Sequence, residues 1–526
     1  MTDVLKQLDV LVNSGKLDEA EEVLARAQLK PSYGLAVTAA IALKRGDQQK
    51  AEVEFLQSLD LDPTNALSAG NLATLYYSQK KFKKALPHAK TAFTSAPKNE
   101  VFARIYAASL SDSDQHAEAI SVLEPFATSE KPSLAMLLAY SAVLRGDLRP
   151  EESLAVLERA RELFPDNEEA QRGIADAYAE MDPKLAQKAF REVERLRPGN
   201  PSIQWNASFV ELRLRNFKRG WSLYENGLLD KIGKIGRPLP PQVKGLPVIT
   251  NLSELDPDKW TLFSAEQGLG DQVLFLGALR EVLNRFPKSA LVGEDRMVTL
   301  LQRSFPEISV YTYGLCAGLG KQTHRINGVF PIGSLMKHFR NSVKSFEKHR
   351  HAYISPDPDV VAKYGKTMGG HLPGKRLIGI SWRGGFWERQ RRTKSFEFEL
   401  FGRLMKNPND RFIALQYGNV DEEREFAKKM GWPVTFIEGL DFKKNIDGWV
   451  ALTCACDRVV SVSTALVHFA GASGKQVDVL IGDYQAPFIW GLDEGQSLPY
   501  ENVFIHRKKR EESVESLFDR VYERLL

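Results

Sequence analysis

Apolar residues in the first 226 positions recur at helical spacing, in short segments broken by turns. Four of the turns run through charged or polar residues to an alanine. They are Gly15 to Ala20, Gly46 to Ala51, Lys81 to Ala85 and Gln115 to Ala119, and the alanines step by 31, 34 and 34 residues. Prolines mark the other end of each unit: Pro63, Pro97, Pro132, Pro165 and Pro198, at steps of 34, 35, 33 and 33. Small residues let paired helices approach closely, and proline stops the second helix of each pair. From Trp260 onward the pattern changes. Short β-branched and aromatic runs alternate with helical stretches, as in parallel sheets with helical crossovers.

A period near 34 with helical apolar spacing is that of tetratricopeptide repeats. The unit from Ala66 to Asn99 fits it through Leu72, Ala73, Tyr76, Ala85, Ala89, Ala92 and Pro97. About seven units fill residues 1–226. A helix pair cannot cover its own apolar face, so neighbours stack into a solenoid. That solenoid is either a plain scaffold or a concave surface for a peptide or protein. No asparagine recurs at a fixed position along the inner helices: Asn71 and Asn206 qualify, and the units between them do not.

Residues 227–258 are a linker rich in glycine, proline and lysine, expected to pack on the domain that follows. Strands are predicted at Trp260–Ala265, Ala290–Gly293, Ser309–Tyr313 and Gly328–Phe330, in an α/β half spanning 259–356. A second half, 374–526, is predicted from strands at Leu377–Trp382, Arg411–Tyr417, Val434–Ile437, Arg458–Val462, Val477–Ile481 and Val503–His506. The fold class is therefore α plus α/β: a helical solenoid, then two Rossmann-like halves with a ligand cleft at the carboxyl ends of their strands.

The stretch Trp260 to Leu279, WTLFSAEQGLGDQVLFLGAL, is the strand, glycine turn and helix that such a cleft is built around. Neither GxGxxG nor GxxxxGK[ST] spacing occurs, so this is not a dinucleotide fingerprint or a P-loop. Gln267, Gly268 and Gly270 form the turn. Asp271 has two readings, an N-cap or a general base at the cleft floor, and spacing alone favours the cap. In the second half, Ser381-Trp382-Arg383-Gly384-Gly385 ends a strand, and five basic residues from Arg383 to Lys394 face one acid, Glu388. An anion site there competes with single-stranded nucleic acid stacking on Trp382, Phe386 and Trp387. Gln416 and Ser461 end neighbouring strands. Ser463 and Thr464 open a helix, suited to a phosphate or to simple capping, and His468 follows one turn later.

The formal charge of +4 is too small to argue for nucleic acid. The opening residues lack an apolar leader core, and no run reaches the length of a membrane span. Three cysteines in 526 residues point to a reducing compartment, and Cys454 and Cys456 read as core. A cytoplasmic protein is expected. No metal site is expected, because Asp357-Pro358-Asp359 lies in a connecting segment.

Repeats of this kind, followed by AEQGLGD, a strand ending in SWRG and a block SxSTxxxHxAGASGK, resemble bacterial repeat-containing glycosyltransferases. The second half of such chains is similar to the lipopolysaccharide heptosyltransferases of GT-B fold. The layout also resembles protein O-GlcNAc transferase, and is nearest that of flagellin glycosyltransferases. The resemblance implies a nucleotide-sugar donor, no further cofactor, Asp271 as general base, and a protein acceptor, flagellin by layout, recruited by the repeats. It places Arg383, the Arg391–Lys394 loop, Gln416, Ser461, Ser463, Thr464 and His468 around the donor. Such families usually carry an aspartate where this chain has Ser463. That departure implies a different donor, such as a CMP-linked nonulosonic acid, or an inactive half on a repeat scaffold. Transfer to lipopolysaccharide or another glycan is the remaining alternative.

Overall fold

A computed structural model of the chain describes residues 2–228, 236–243, 245–316, 325–369, 374–384, 393–482, 487–509 and 511–526, the side chains of Thr2 and Leu315 excepted. Its contacts divide the chain into two compact units, Met1–Ala177 and Tyr178–Leu526.

The first unit consists of helix pairs: Thr2–Asn13 with Leu17–Arg26, Pro31–Lys44 with Gln48–Leu61, Ala66–Ser78 with Phe82–Ser95, Glu100–Ser111 with His116–Ala127, and Leu134–Gly146 with Pro150–Leu163. The periodic alanines Ala20, Ala51, Ala85 and Ala119 are all 0% exposed, which is what close approach of the paired helices demands. Turns within pairs pass through the left-handed region, at Gly15 and Gly46 and then at Lys80, Asp114 and Leu148 with φ near 60°. Four of the five prolines, all but Pro132, have an asparagine two residues on. Asn65 accepts from the amides of Leu67 and Ser68, each at 3.2 Å, and Asn99 accepts from Val101 at 2.9 Å. Asn200 does the same for Ser202 at 3.0 Å. Asparagine thus recurs in this chain as the N-cap of the first helix of a repeat.

The repeat period runs past the packing boundary. Pro183–Leu196, Pro201–Arg213 and Phe217–Tyr224 complete the series but belong to the second unit. Trp205, Phe217, Trp221 and Tyr224 share one apolar core with Phe263, Phe275 and Phe346 of the α/β region. The Trp221 indole N–H donates to the Arg340 carbonyl at 2.9 Å.

Ten predicted strands form, with ends shifted by up to three residues. The first sheet contains β1 (Trp260–Ser264), β2 (Ser289–Gly293), β3 (Ser309–Thr312) and β4 (Ile326–Pro331), all parallel, in the order β3-β2-β1-β4. The second contains β5 (Arg376–Ser381), β6 (Asp410–Ala414), β7 (Val434–Phe436), β8 (Arg458–Val462), β9 (Gln476–Ile481), β10 (Gly495–Gln496) and β11 (Val503–Arg507). Its order is β10-β11-β9-β8-β5-β6-β7, and only the short β10, absent from the sequence reading, runs antiparallel. Read from β7, the six parallel strands follow the doubly wound order, with the reversal between β5 and β8. β6 stops at Ala414 rather than Tyr417, because the Gln416 side chain leaves the ladder and takes over the ends of the neighbouring strand. The three cysteines are buried and free, Cys454 and Cys456 among them.

The linker packs on the first α/β half through an ion pair that spacing did not reveal. Arg237 and Glu266 are both 0% exposed at their side chains. Arg237 Nε donates to Glu266 Oε2 at 3.0 Å, and its Nη1 donates to Glu225 at 2.7 Å. Glu266 Oε1 also accepts from the Gly333 amide at 2.9 Å.

Candidate functional site

Within the second unit, a cleft of about 560 Å³ opens where the carboxyl ends of the two sheets face each other. The first half contributes the turn after β1, from Gln267 to Asp271, with Glu294 and Arg296 beyond β2. The second contributes Lys394, Tyr417, Lys443, Ser463, Thr464 and His468, and an apolar wall of Phe442, Trp449, Phe488 and Ile489.

Gln267 adopts φ 65°, a left-handed conformation that costs a non-glycine residue about 1 kcal/mol or more. Two hydrogen bonds hold it there. Its Nε2 donates to the Gly236 carbonyl at 2.8 Å, and its own carbonyl accepts from Gln272 Nε2 at 3.0 Å. The turn delivers Gly268 as the cap of the helix Leu269–Leu276. Gly270 faces the second half: a Cβ there would lie 2.8 Å from His468 Cδ2 and 3.5 Å from the Ala465 Cα. Gly270→Ala should therefore destabilise the fold by about 1–3 kcal/mol and lower its melting temperature. Thermal unfolding followed by circular dichroism measures this.

Gly268, not Asp271, is the N-cap of this helix, and Asp271 is its third residue. Its carboxylate accepts from the Gly268 amide and its own, and it also lines the cleft. The group is half-buried on the cleft wall, and burial pushes its pKa up to about 6, against the opposing pull of Lys394 and the two amides. Lys394 is half-buried there too. Burial lowers its pKa, and the Asp271 charge works against that shift.

Across the cleft, Thr464 precedes the helix Ala465–Ala472 in extended conformation but makes no capping bond. Its Oγ1 is buried without a partner among the described residues. Ser463 accepts from the Trp490 indole N–H at 2.8 Å, which leaves its own hydroxyl proton available as a donor. The helix start thus lacks a side-chain cap, with the unpartnered Thr464 hydroxyl and the Ser463 proton beside it, a setting for an anion.

The structure gathers Asp271, Gln267, Gly268, Gly270, Lys394, Ser463, Thr464 and His468 at one cleft, and leaves three predicted residues outside its lining. Arg383 pairs with Glu423 and donates to the Asn419 carbonyl, its guanidinium lying over the Trp382 ring. Gln416 braces the strand ends: its Oε1 accepts from the amides of Trp382 and Arg383 at 3.0 and 2.9 Å. Ser461 is 0% exposed within β8 and donates to the Val462 carbonyl. Trp382 is 2% exposed in an apolar core, which removes it as a stacking platform for bases. Gly385, Phe386, Trp387, Glu388, Arg389, Arg391 and Arg392 lie outside the described residues. Asp357 caps the helix Pro358–Thr367, accepting from Asp359 and Val360. Among the described residues, no three His, Cys, Asp or Glu side chains group as a metal site requires, and no helix is long and apolar enough to cross a membrane.

Sequence reasoning missed Glu294, Arg296 and Lys443, while Tyr417 belongs to the strand-end segment Gln416-Tyr417-Gly418. Arg296 bridges the halves, donating to the Lys443 carbonyl at 2.7 Å while paired with Glu294. Glu294 and Arg296 follow directly on the β2 end, a signal the reading passed over.

No protein-family model matches the chain. Protein FlbA of Caulobacter vibrioides is 27% identical over 462 residues, covering 84% of this chain and 75% of FlbA. A tetratricopeptide repeat protein of Parabacteroides merdae matches at 16% identity over 44% of this chain and 94% of its own, with a TM-score of 0.37. YrrB, a tetratricopeptide protein with an unusual peptide-binding site, matches at 18% identity over 34% of this chain and 93% of its own, with a TM-score of 0.25. The tetratricopeptide character of the array rests on its helix pairs, buried alanines and period.

Proposed function

We propose that this chain is an inverting protein O-glycosyltransferase of GT-B type that uses a nucleotide-sugar donor and needs no metal. The observation that carries the reading is the pairing across one cleft of a carboxyl raised to about 6 with an uncapped helix start beside Lys394. Asp271 takes the proton of a serine or threonine hydroxyl. The hydroxyl oxygen bonds to the anomeric carbon as the bond from that carbon to the phosphate oxygen breaks. The nucleotide leaves with the electron pair, and Lys394, Ser463, Thr464 and the helix amides receive its charge.

A serine where an acid is usual removes a negative charge from the donor side. That suits a CMP-linked nonulosonic acid, whose carboxylate adds to the charge of its phosphate. The repeat array recruits the acceptor protein, and the layout favours flagellin. Calorimetry with CMP-, UDP- and GDP-linked sugars tests the donor, and CMP-sugar binding is expected. Turnover should survive excess EDTA. If it vanishes and Mn²⁺ restores it, the metal-free mechanism is wrong.

A further inference from the structure

Three aromatic rings of the last repeat touch both halves of the α/β region. Phe209, Trp221 and Tyr224 stand on its two helices, Pro201–Arg213 and Phe217–Tyr224. Toward the first half, the Trp221 and Tyr224 rings meet Phe275 at 6.3 and 6.1 Å between centres. Phe275 lies on the helix Leu269–Leu276, one turn on from Asp271. Toward the second half, Phe209 and Trp221 each meet Phe488 at 5.7 Å. Phe488 and Ile489 form part of the cleft wall, and Trp490, next in the chain, donates to Ser463. Just past that wall, Asp493 pairs at 3.0 Å with Arg215, which lies in the turn between the two repeat helices.

We infer that the last repeat is a clamp on the cleft: Phe209, Trp221 and Tyr224 are positioning residues that fix the spacing between the Asp271 helix and the Phe488–Trp490 wall. Aromatic rings suit the task, being large, rigid and held in preferred edge and tilted geometries at these separations. Trp221 stands edge-on to both Phe275 and Phe488, at 80° and 85°. It is 1% exposed, so neither half moves away from it without opening a void. Two other ties between the halves are weaker by nature. Gly270 meets Ala465 and His468 without a side chain of its own. The Arg303–Asp447 pair is partly exposed to water, where an ion pair is worth little. The consequence for chemistry rests on the glycosyltransferase reading. The base belongs to the first half and Lys394, Ser463 and Thr464 to the second, so a slack clamp misplaces the acceptor oxygen without loosening the donor. The spacing itself does not rest on that reading.

The test uses the full-length protein with spin labels at Asn284→Cys in the first half and Lys429→Cys in the second, both exposed, while the three native cysteines are buried. Double electron resonance should give one narrow distance distribution. Trp221→Leu and Phe209→Leu should broaden it. Phe217→Leu is the control, because its ring meets Phe346 of the first half, and it should leave the distribution narrow. Phe209 is half-buried, so its variant reports even where Trp221→Leu fails to fold. A broad distribution in the wild type, a narrow one in Phe209→Leu, or equal broadening by Phe217→Leu overturns the clamp. The second arm is transfer from a CMP-linked sugar. Both test variants should lose about 10- to 100-fold in kcat, the scale of a displaced reacting group, while KM for the donor holds. Unchanged kcat, or a loss confined to KM, overturns the positioning role. If the wild type transfers nothing from this donor, the donor reading fails, and the distances alone decide the clamp.

Discussion

Replacing Asp271 by asparagine should cut transfer to the acceptor about 10²- to 10⁴-fold, the usual worth of a positioned general base. Donor affinity should change little, because Lys394, Ser463, Thr464 and the helix amides remain. Asparagine keeps the size of the side chain and its acceptor for the Gly268 amide, so the turn should survive. In the wild type, transfer should rise with pH through about 6, the range in which the half-buried carboxyl ionises, and then level off. The same pKa predicts the sign of a stability effect. A carboxyl bound to its proton more tightly in the folded chain stabilises the fold below the unfolded value of 3.8, and that stability is lost as pH rises through about 6. Above pH 6 the carboxylate therefore costs folding energy, with a ceiling of about 3 kcal/mol that its exposure to the open cleft and its pairing with Lys394 both reduce. Asp271→Asn should accordingly melt no lower than the wild type at pH 8, and it should lose relative advantage at pH 4. A variant that melts far lower at pH 8 would mean the aspartate serves mainly to hold the helix start.

Arg237→Ala should destabilise the second unit by about 3–5 kcal/mol, because it strands Glu266 as an uncompensated buried charge. Arg237 holds Glu266 with two of its nitrogens, reaches Glu225 with a third, and stacks its guanidinium 4.7 Å from the Tyr224 ring centre. One side chain thus ties the last repeat helices, the linker and the end of β1 together. Replacing both partners by apolar residues of similar volume should recover much of the loss, although the Gly333 amide would still lack its acceptor. Urea unfolding of the single and paired variants checks this. Equal losses for the two would mean that shape rather than charge pairing governs the site.

The sequence was informative where one periodicity dominated. The 34-residue step gave the helix pairs and their buried alanines, and strand–helix alternation gave ten strands in two sheets. Asp271, Lys394, Ser463 and Thr464 were legible because each stands at a strand end or helix start, where chain order alone predicts a cleft. Failures came where a partner lies far away in sequence. Arg383 looked free at a strand end, but Glu423, forty residues on, claims it. Glu266, inside the AEQGLGD motif, had no visible task until Arg237 arrived from the linker. The repeat period likewise gave no hint that packing divides the chain at Ala177, since helices on both sides carry the same pattern. Local spacing cannot show which of two identical-looking helices buries its apolar face against a sheet.

The most direct test of the central claim is glycopeptide mass spectrometry on cells that carry the wild-type chain or Asp271→Asn at matched abundance. The account predicts that serine- or threonine-linked sugar on at least one protein, flagellin foremost, is present with the wild type and missing with the variant. An unchanged set of glycopeptides in the two strains would contradict it.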